Sequence, residues 1–196
     1  MSLYTFSIDF RNKRYINQEL AKMPNDALLE WAKNLVCKQI PYIGNKAKLQ
    51  LMAEVDFHIK ENLVIHADYV KNMWSSSFLI QTGFGIVDII QTDENAEISD
   101  TDLFTFVMDF RGGTYFDQLT AGSIKQAVSK WADNLNVNEI EHFGKKSKQQ
   151  ILETLADQNT TEIITPLEIA KNVWRFSFRF KTGFAVVHII KTDTTT

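Results

Sequence analysis

A chain of 196 residues, 44% hydrophobic and 23% charged, has the balance of a soluble globular protein with room for one or two domains. Its formal charge of −3 and pI near 5.8 argue against nucleic acid and an anionic membrane surface as partners. Cys37 is the lone cysteine, so no internal disulfide framework can form, and no apolar run has the length of a membrane span. With no signal-peptide core at the N-terminus, these features lead us to expect a cytoplasmic protein.

Residues 3–10 alternate, with Tyr4, Phe6, Ile8 and Phe10 on one face and Thr5, Ser7 and Asp9 on the other. That period predicts a half-buried strand, and Phe104, Phe106, Met108 and Phe110 repeat it one hundred residues later. Asn12-Lys13 and Gly112-Gly113 suit a two-residue hairpin turn with positive φ. Returning strands are expected over 14–20 and 114–120. A helix follows in each half. Pro24 fits the first helical position, whereas Ser123 and Gln126 form a capping box. Ala27, Trp31 and Leu35, like Ala127, Trp131 and Leu135, recur at the spacing of a core-facing stripe.

Gly44 and Gly144 precede a second helix carrying Leu51, Met52 and Val55, or Ile151, Leu152 and Leu155. The halves then diverge over 56–70 and 156–170. Thr165-Pro166-Leu167-Glu168 has the form of a capping box and predicts a short helical turn. A third strand over 73–80 puts Trp74, Phe78 and Ile80 on one face. Over 173–180 its counterpart puts Trp174, Phe176, Phe178 and Phe180 there, with Arg175, Ser177 and Arg179 opposite. Thr82-Gly83 and Thr182-Gly183 turn the chain into a fourth strand, 84–90 or 184–190. This strand is apolar on both faces and so belongs inside a sheet or at an interface. The last residues, 194–196, are expected to fray.

At the hundred-residue offset about a third of the paired positions are identical, Trp31/Trp131, Trp74/Trp174 and Phe84/Phe184 among them. The expected fold is therefore α+β, with two tandem β-β-α-α-β-β repeats at 3–93 and 103–193 joined by an acidic linker at 94–102. Each repeat is an antiparallel sheet with helices on one face. The two are expected to pack as a pseudo-twofold pair, an intramolecular pseudo-dimer, because a domain of this size buries only a modest share of its surface alone.

Catalytic signatures are missing. Gly83-Phe84-Gly85 lacks the third glycine and following helix of a dinucleotide loop, and there is no P-loop, nucleophile elbow, H-E-x-x-H or C-x-x-C. His58, His66, His142 and His188 face Gln158, Pro166, Tyr42 and Asp88 in the other half, so no metal site is expected. No cofactor is expected either. Asp88 and His188 are each the polar member of an apolar fourth strand and form a candidate inter-repeat pair.

Asp9-Phe10-Arg11 recurs as Asp109-Phe110-Arg111, followed by Tyr15 or Tyr115 and by Gln18 or Gln118. Arg11 and Arg111 beside an aromatic are candidate anion binders, although retention in both halves also suits a folding role. Lys46, Lys48, Lys145, Lys146 and Lys148 sit where cations oppose a helix dipole, a setting an anion would relieve. Arg175 and Arg179 share a strand face and complete the candidate binding set.

The pattern in residues 104–115, together with Trp131-Ala132, residues 143–148 and Asn172-Val173-Trp174, resembles a family of small single-domain bacterial proteins of unknown function. Residues 3–35 and their counterparts also resemble HicB-type antitoxin domains. The second helix and closing hairpin depart from that pattern, and no DNA-binding segment is appended. From these features we expect a non-catalytic intracellular protein-interaction module, immunity or antitoxin-like, that binds an unknown protein partner. The alternative is a small-ligand or anion-binding domain, with enzymatic activity left open, whose site lies between the repeats.

Overall fold

The computed structural model describes residues 1–37, 39–156 and 163–194. The chain is mixed α+β with antiparallel strands, and it divides into two compact units, Met1–Glu94 and Asn95–Thr196. Unit one runs β1 (Ser2–Phe10), β2 (Lys13–Ala21), α1 (Pro24–Asn34), α2 (Asn45–Lys60), β3 (Ile65–His66), β4 (Met73–Ile80) and β5 (Gly83–Thr92). Its strands pair antiparallel in the order β2-β1-β5-β4-β3. Unit two runs β6 (Leu103–Phe110), β7 (Gly113–Thr120), α3 (Ile124–Asn134), α4 (Lys145–Ala156), β8 (Thr165–Pro166), β9 (Val173–Phe180) and β10 (Gly183–Thr192). There the order is β7-β6-β10-β9-β8. No helix among the described residues is long and apolar enough to cross a membrane.

One face of each sheet packs on its helices. Phe6, Ile8, Phe10, Phe78, Val87 and Ile89 close over Ala27, Trp31 and Leu51 in unit one. Phe106, Met108, Phe110, Phe176, Val187 and Ile189 close over Ala127, Trp131 and Ile151 in unit two. Phe6 stacks on Trp31 at 5.6 Å and Phe106 on Trp131 at 5.4 Å, between centroids. Each helix start follows from its sequence. Pro24 occupies the opening of α1, while Ser123 Oγ accepts from the Gln126 N–H at 3.1 Å in α3.

The opposite face is held by polar links. Thr5 and Thr92 hydroxyls meet at 2.5 Å, and Gln18 Nε2 donates to Thr5 Oγ1 at 2.9 Å. Thr105, Thr192 and Gln118 repeat this at 2.5 and 2.8 Å. A one-residue slip would break every member of such a ladder, so it fixes register.

Two expectations are corrected. The first hairpin turns on Arg11-Asn12, not Asn12-Lys13, because Phe10 pairs directly with Lys13; Arg111-Gly112 does the same in unit two. Thr165-Pro166 forms strand β8 rather than a helical turn, since Thr165 pairs with Arg175 and Pro166 with Trp174. Proline is tolerated there because an outer strand needs no donor from it on its free side. The divergent stretch 156–170 lies partly outside the described residues, as do Gln158 and the tail beyond Thr194.

A difference between the units predicts a stabilising substitution. Gln118 N–H donates to Asp117 Oδ1 at 2.8 Å, as Gln18 N–H does to Asn17 Oδ1 at 2.8 Å. Burial pushes the Asp117 carboxyl up, the Gln118 N–H opposes this, and the charge of Glu139 raises it further. A raised folded pKa means that the ionised form costs stability above that pKa, a cost removed as pH falls below the unfolded value. Asp117→Asn keeps the acceptor and drops the charge. We expect a higher thermal midpoint at pH 7 and a shrinking gain in acid; an equal or lower midpoint at pH 7 would contradict this.

Candidate functional site

Arg11 and Arg111 sit in turns with φ of 54° and 50°, a region where glycine, asparagine or aspartate is favoured. Arginine is kept there by its side chain. A Cβ on Gly83 would lie 3.6 Å from Arg11 Cγ, and one on Gly183 would lie 3.1 Å from Arg111 Cγ. Each arginine stem thus covers the glycine that opens β5 or β10, directly after the turn at 81–82 or 181–182. The Arg11 guanidinium also sits over the Tyr42 ring at 4.3 Å, a cation–π contact. Retention of this arginine at both positions thus has a packing reason. Both residues are exposed.

Of the lysines, Lys48 and Lys148 have a defined task. Lys48 Nζ donates to the Lys33 carbonyl at 2.5 Å, and Lys148 Nζ donates to the Asp133 and Leu135 carbonyls at 2.6 and 2.9 Å. Each ammonium therefore caps the C-terminal end of the preceding helix, where the dipole favours a cation. Lys46, Lys145 and Lys146 are exposed on the first turn of their helices. Tyr15 and Tyr115 pack against the cores, and Tyr115 Oη accepts from the Glu141 N–H at 3.1 Å.

Asp88 and His188 lie in different units. Asp88 is engaged within unit one. Arg14 NH1 donates to its Oδ2 at 3.2 Å and to Ser7 Oγ at 3.0 Å, while Ser75 Oγ donates to Asp88 Oδ1 at 2.9 Å. The Arg14 and Asp88 side chains are 6% and 4% exposed. Unit two has Val107, Thr114, Arg175 and His188 at these four positions. His188 is buried and pairs across strands with Val107 and Arg175.

Lys191 is a second buried cation that the sequence did not flag. Its Nζ is 3.0 Å from Asp102 Oδ2 and donates to the Asn95 and Glu97 carbonyls at 2.9 and 2.5 Å. It thus holds much of the acidic stretch 95–102 down against β10. Burial would raise the Asp102 carboxyl, but the Ser99 N–H and hydroxyl together with Lys191 outweigh it and hold it below its ordinary value. A depressed pKa contributes stability above the unfolded value and loses it as pH falls through the folded one. The Ser99 N–H donates to Asp102 Oδ2 at 2.7 Å. We expect its NMR resonance to titrate with a midpoint below the ordinary aspartate value, and Lys191→Met to move that midpoint up. A midpoint unchanged by Lys191→Met would refute the tether.

At the turn end of each sheet the face away from the helices is open. Leu79, Phe84 and Ile86 are exposed there in unit one, with Phe84 at 57%. Leu79 pairs with Phe84 and Ser77 with Ile86, so the apolar residues share one surface. In unit two Phe184 is 52% exposed and pairs with Arg179; Arg175 and Arg179 are both exposed. The fourth strand's two apolar faces therefore have different reasons: one is core, and the other is partly open. Sequence periodicity could not separate these.

No group of three or more His, Cys, Asp or Glu suited to a metal occurs among the described residues. Cys37 is half-buried and its Sγ lies 3.4 Å from Asn45 Oδ1. Comparison with family profiles, curated proteins and solved structures finds no match to this chain.

Proposed function

We propose that the chain is a non-catalytic intracellular protein-interaction module, immunity or antitoxin-like, built as a tandem duplicate that works as a pseudo-dimer. The observation that supports binding is the exposed apolar surface of Leu79, Phe84 and Ile86, with Phe184 exposed at the matching position. Clustered exposed large apolar side chains on a folded domain mark contact surfaces. Duplication is supported by the sequence identities and by the shared order of elements in the two units.

The test is a pull-down from host lysate with the tagged full chain and with Phe84→Ser. A stoichiometric protein retained by the parent and lost by the variant supports the reading; no retained protein argues against it. The alternative, anion binding through Arg11, Arg111, Lys46, Lys145 and Lys146, predicts a thermal shift in phosphate that Arg111→Ala abolishes. Expressing residues 1–94 and 95–196 separately tests the pseudo-dimer. Two stable monomers that do not associate would sink it.

A further inference from the structure

We propose that the open face of β9 and β10 docks an extended acidic segment of a partner protein, with Arg175 and Arg179 reading two carboxylates and Phe184 an apolar side chain. This rests on the interaction-module reading and names the chemistry of its partner. Arg175, Ser177 and Arg179 alternate with the core residues Phe176, Phe178 and Phe180, so all three lie on the open face. Their cross-strand partners on β10 are His188, Val186 and Phe184.

Neither guanidinium is paired with a carboxylate among the described residues. Beyond strand pairing, their main-chain carbonyls accept from Thr165 Oγ1 at 3.3 Å and Gln150 Nε2 at 2.9 Å. The carboxylate nearest in register is Asp109, opposite Val186, and Thr114 Oγ1 donates to it at 3.0 Å. Two exposed arginines with no carboxylate partner among the described residues thus stand on one strand of a chain whose net charge is −3. The fold does not need them, because unit one has Ser75 and Leu79 at these positions. Lys181 and Arg111 add positive charge at the adjoining turns.

Spacing selects the partner's conformation. Four residues along a strand span about 13 Å, so an extended peptide presents its residues i and i+4 at the same separation and on one side. Carboxylates at those positions meet Arg175 and Arg179, and residue i+2 lies over Ser177 and Val186, beside Phe184. Arginine suits such pairing because its planar fork binds a carboxylate through two donors. Phe184, one exposed aromatic on the described part of this face, gives no stacking ladder for nucleic-acid bases, and the net negative charge repels a polyanion.

The experiment is a fluorescence-anisotropy titration of the full chain with a labelled peptide, Thr-Glu-Thr-Leu-Thr-Glu-Thr. Controls are its Gln-for-Glu version and an octamer of deoxythymidylate. We expect saturable, salt-sensitive binding of the glutamate peptide only, weakened roughly fivefold to tenfold by Arg175→Gln with Arg179→Gln. The charge swap Arg175→Glu with Arg179→Glu should bind a Lys-for-Glu peptide instead. Equal binding of the glutamine peptide, or an unchanged affinity in the glutamine double variant, overturns the proposal. Tighter binding of the oligonucleotide reassigns the face to nucleic acid. If the glutamine double variant still retains the same stoichiometric partner in the pull-down, this site falls while the interaction reading stands.

Discussion

Trp131→Ala is expected to cost unit two about 3–5 kcal/mol, the range for removing a large aromatic from a closed core. The Trp131 ring is 1% exposed and sits between two other aromatics. Phe106 stacks on it at 5.4 Å with an interplanar angle of 4°, and Phe176 meets it edge-on at 5.6 Å. Phe106 is held by β6 and Phe176 by β9, while Trp131 comes from α3, so no one element can shift to fill the cavity. Trp174→Ala should cost less, about 1–3 kcal/mol, because that ring is only half-buried and touches Phe104 edge-on at 6.4 Å. Urea titration followed by amide NMR reads each unit separately. A Trp131→Ala loss below about 1 kcal/mol, or one smaller than that of Trp174→Ala, would mean that the helices do not close over the sheet as described.

The same two tryptophans show how far the sequence could be read. Trp131 belongs to a helical stripe and Trp174 to a strand alternation, and both periods survive into the structure because core burial is periodic. Periodicity places a residue on a face but says nothing of how far along the element the cover extends. The sequence therefore places Phe84 and Phe184 on a strand inside the sheet or at an interface without separating the two, and both rings are exposed in the structure. Turn chemistry was legible only to within a residue. Arg11 is a poor positive-φ residue by local preference, and it is the fit of its stem over Gly83, a contact distant in sequence, that settles the turn. The capping pattern at 165–168 misled for a similar reason: pairing of Thr165 with Arg175 outweighs local helical preference. Lys48 and Lys148 looked like cations opposing their own helix, whereas each serves the C-terminus of the preceding one. Long side chains act at a distance from their backbone, and no spacing rule in the sequence encodes that reach.

Arg14 follows the same logic, and Arg14→Ala should destabilise unit one by about 3–5 kcal/mol. The cost comes less from the lost attraction than from what remains behind. Asp88 is 4% exposed, and without the guanidinium its carboxylate keeps the Ser75 hydroxyl at 2.9 Å but loses the cation 3.2 Å from its Oδ2. Ser7 Oγ loses its donor as well. Replacing both ends by apolar residues of similar volume removes the charge and its desolvation together, so Arg14→Met with Asp88→Leu should be far milder than Arg14→Ala, and near neutral. Unit two makes such a change plausible, since it folds with Val107, Thr114 and His188 at the positions of Ser7, Arg14 and Asp88. Urea titrations of the parent, Arg14→Ala, Asp88→Leu and the double variant form a double-mutant cycle. If the two single losses simply add in the double variant, Arg14 and Asp88 are not coupled. Charge neutralisation would then not be what holds β2, β4 and β5 together on that face.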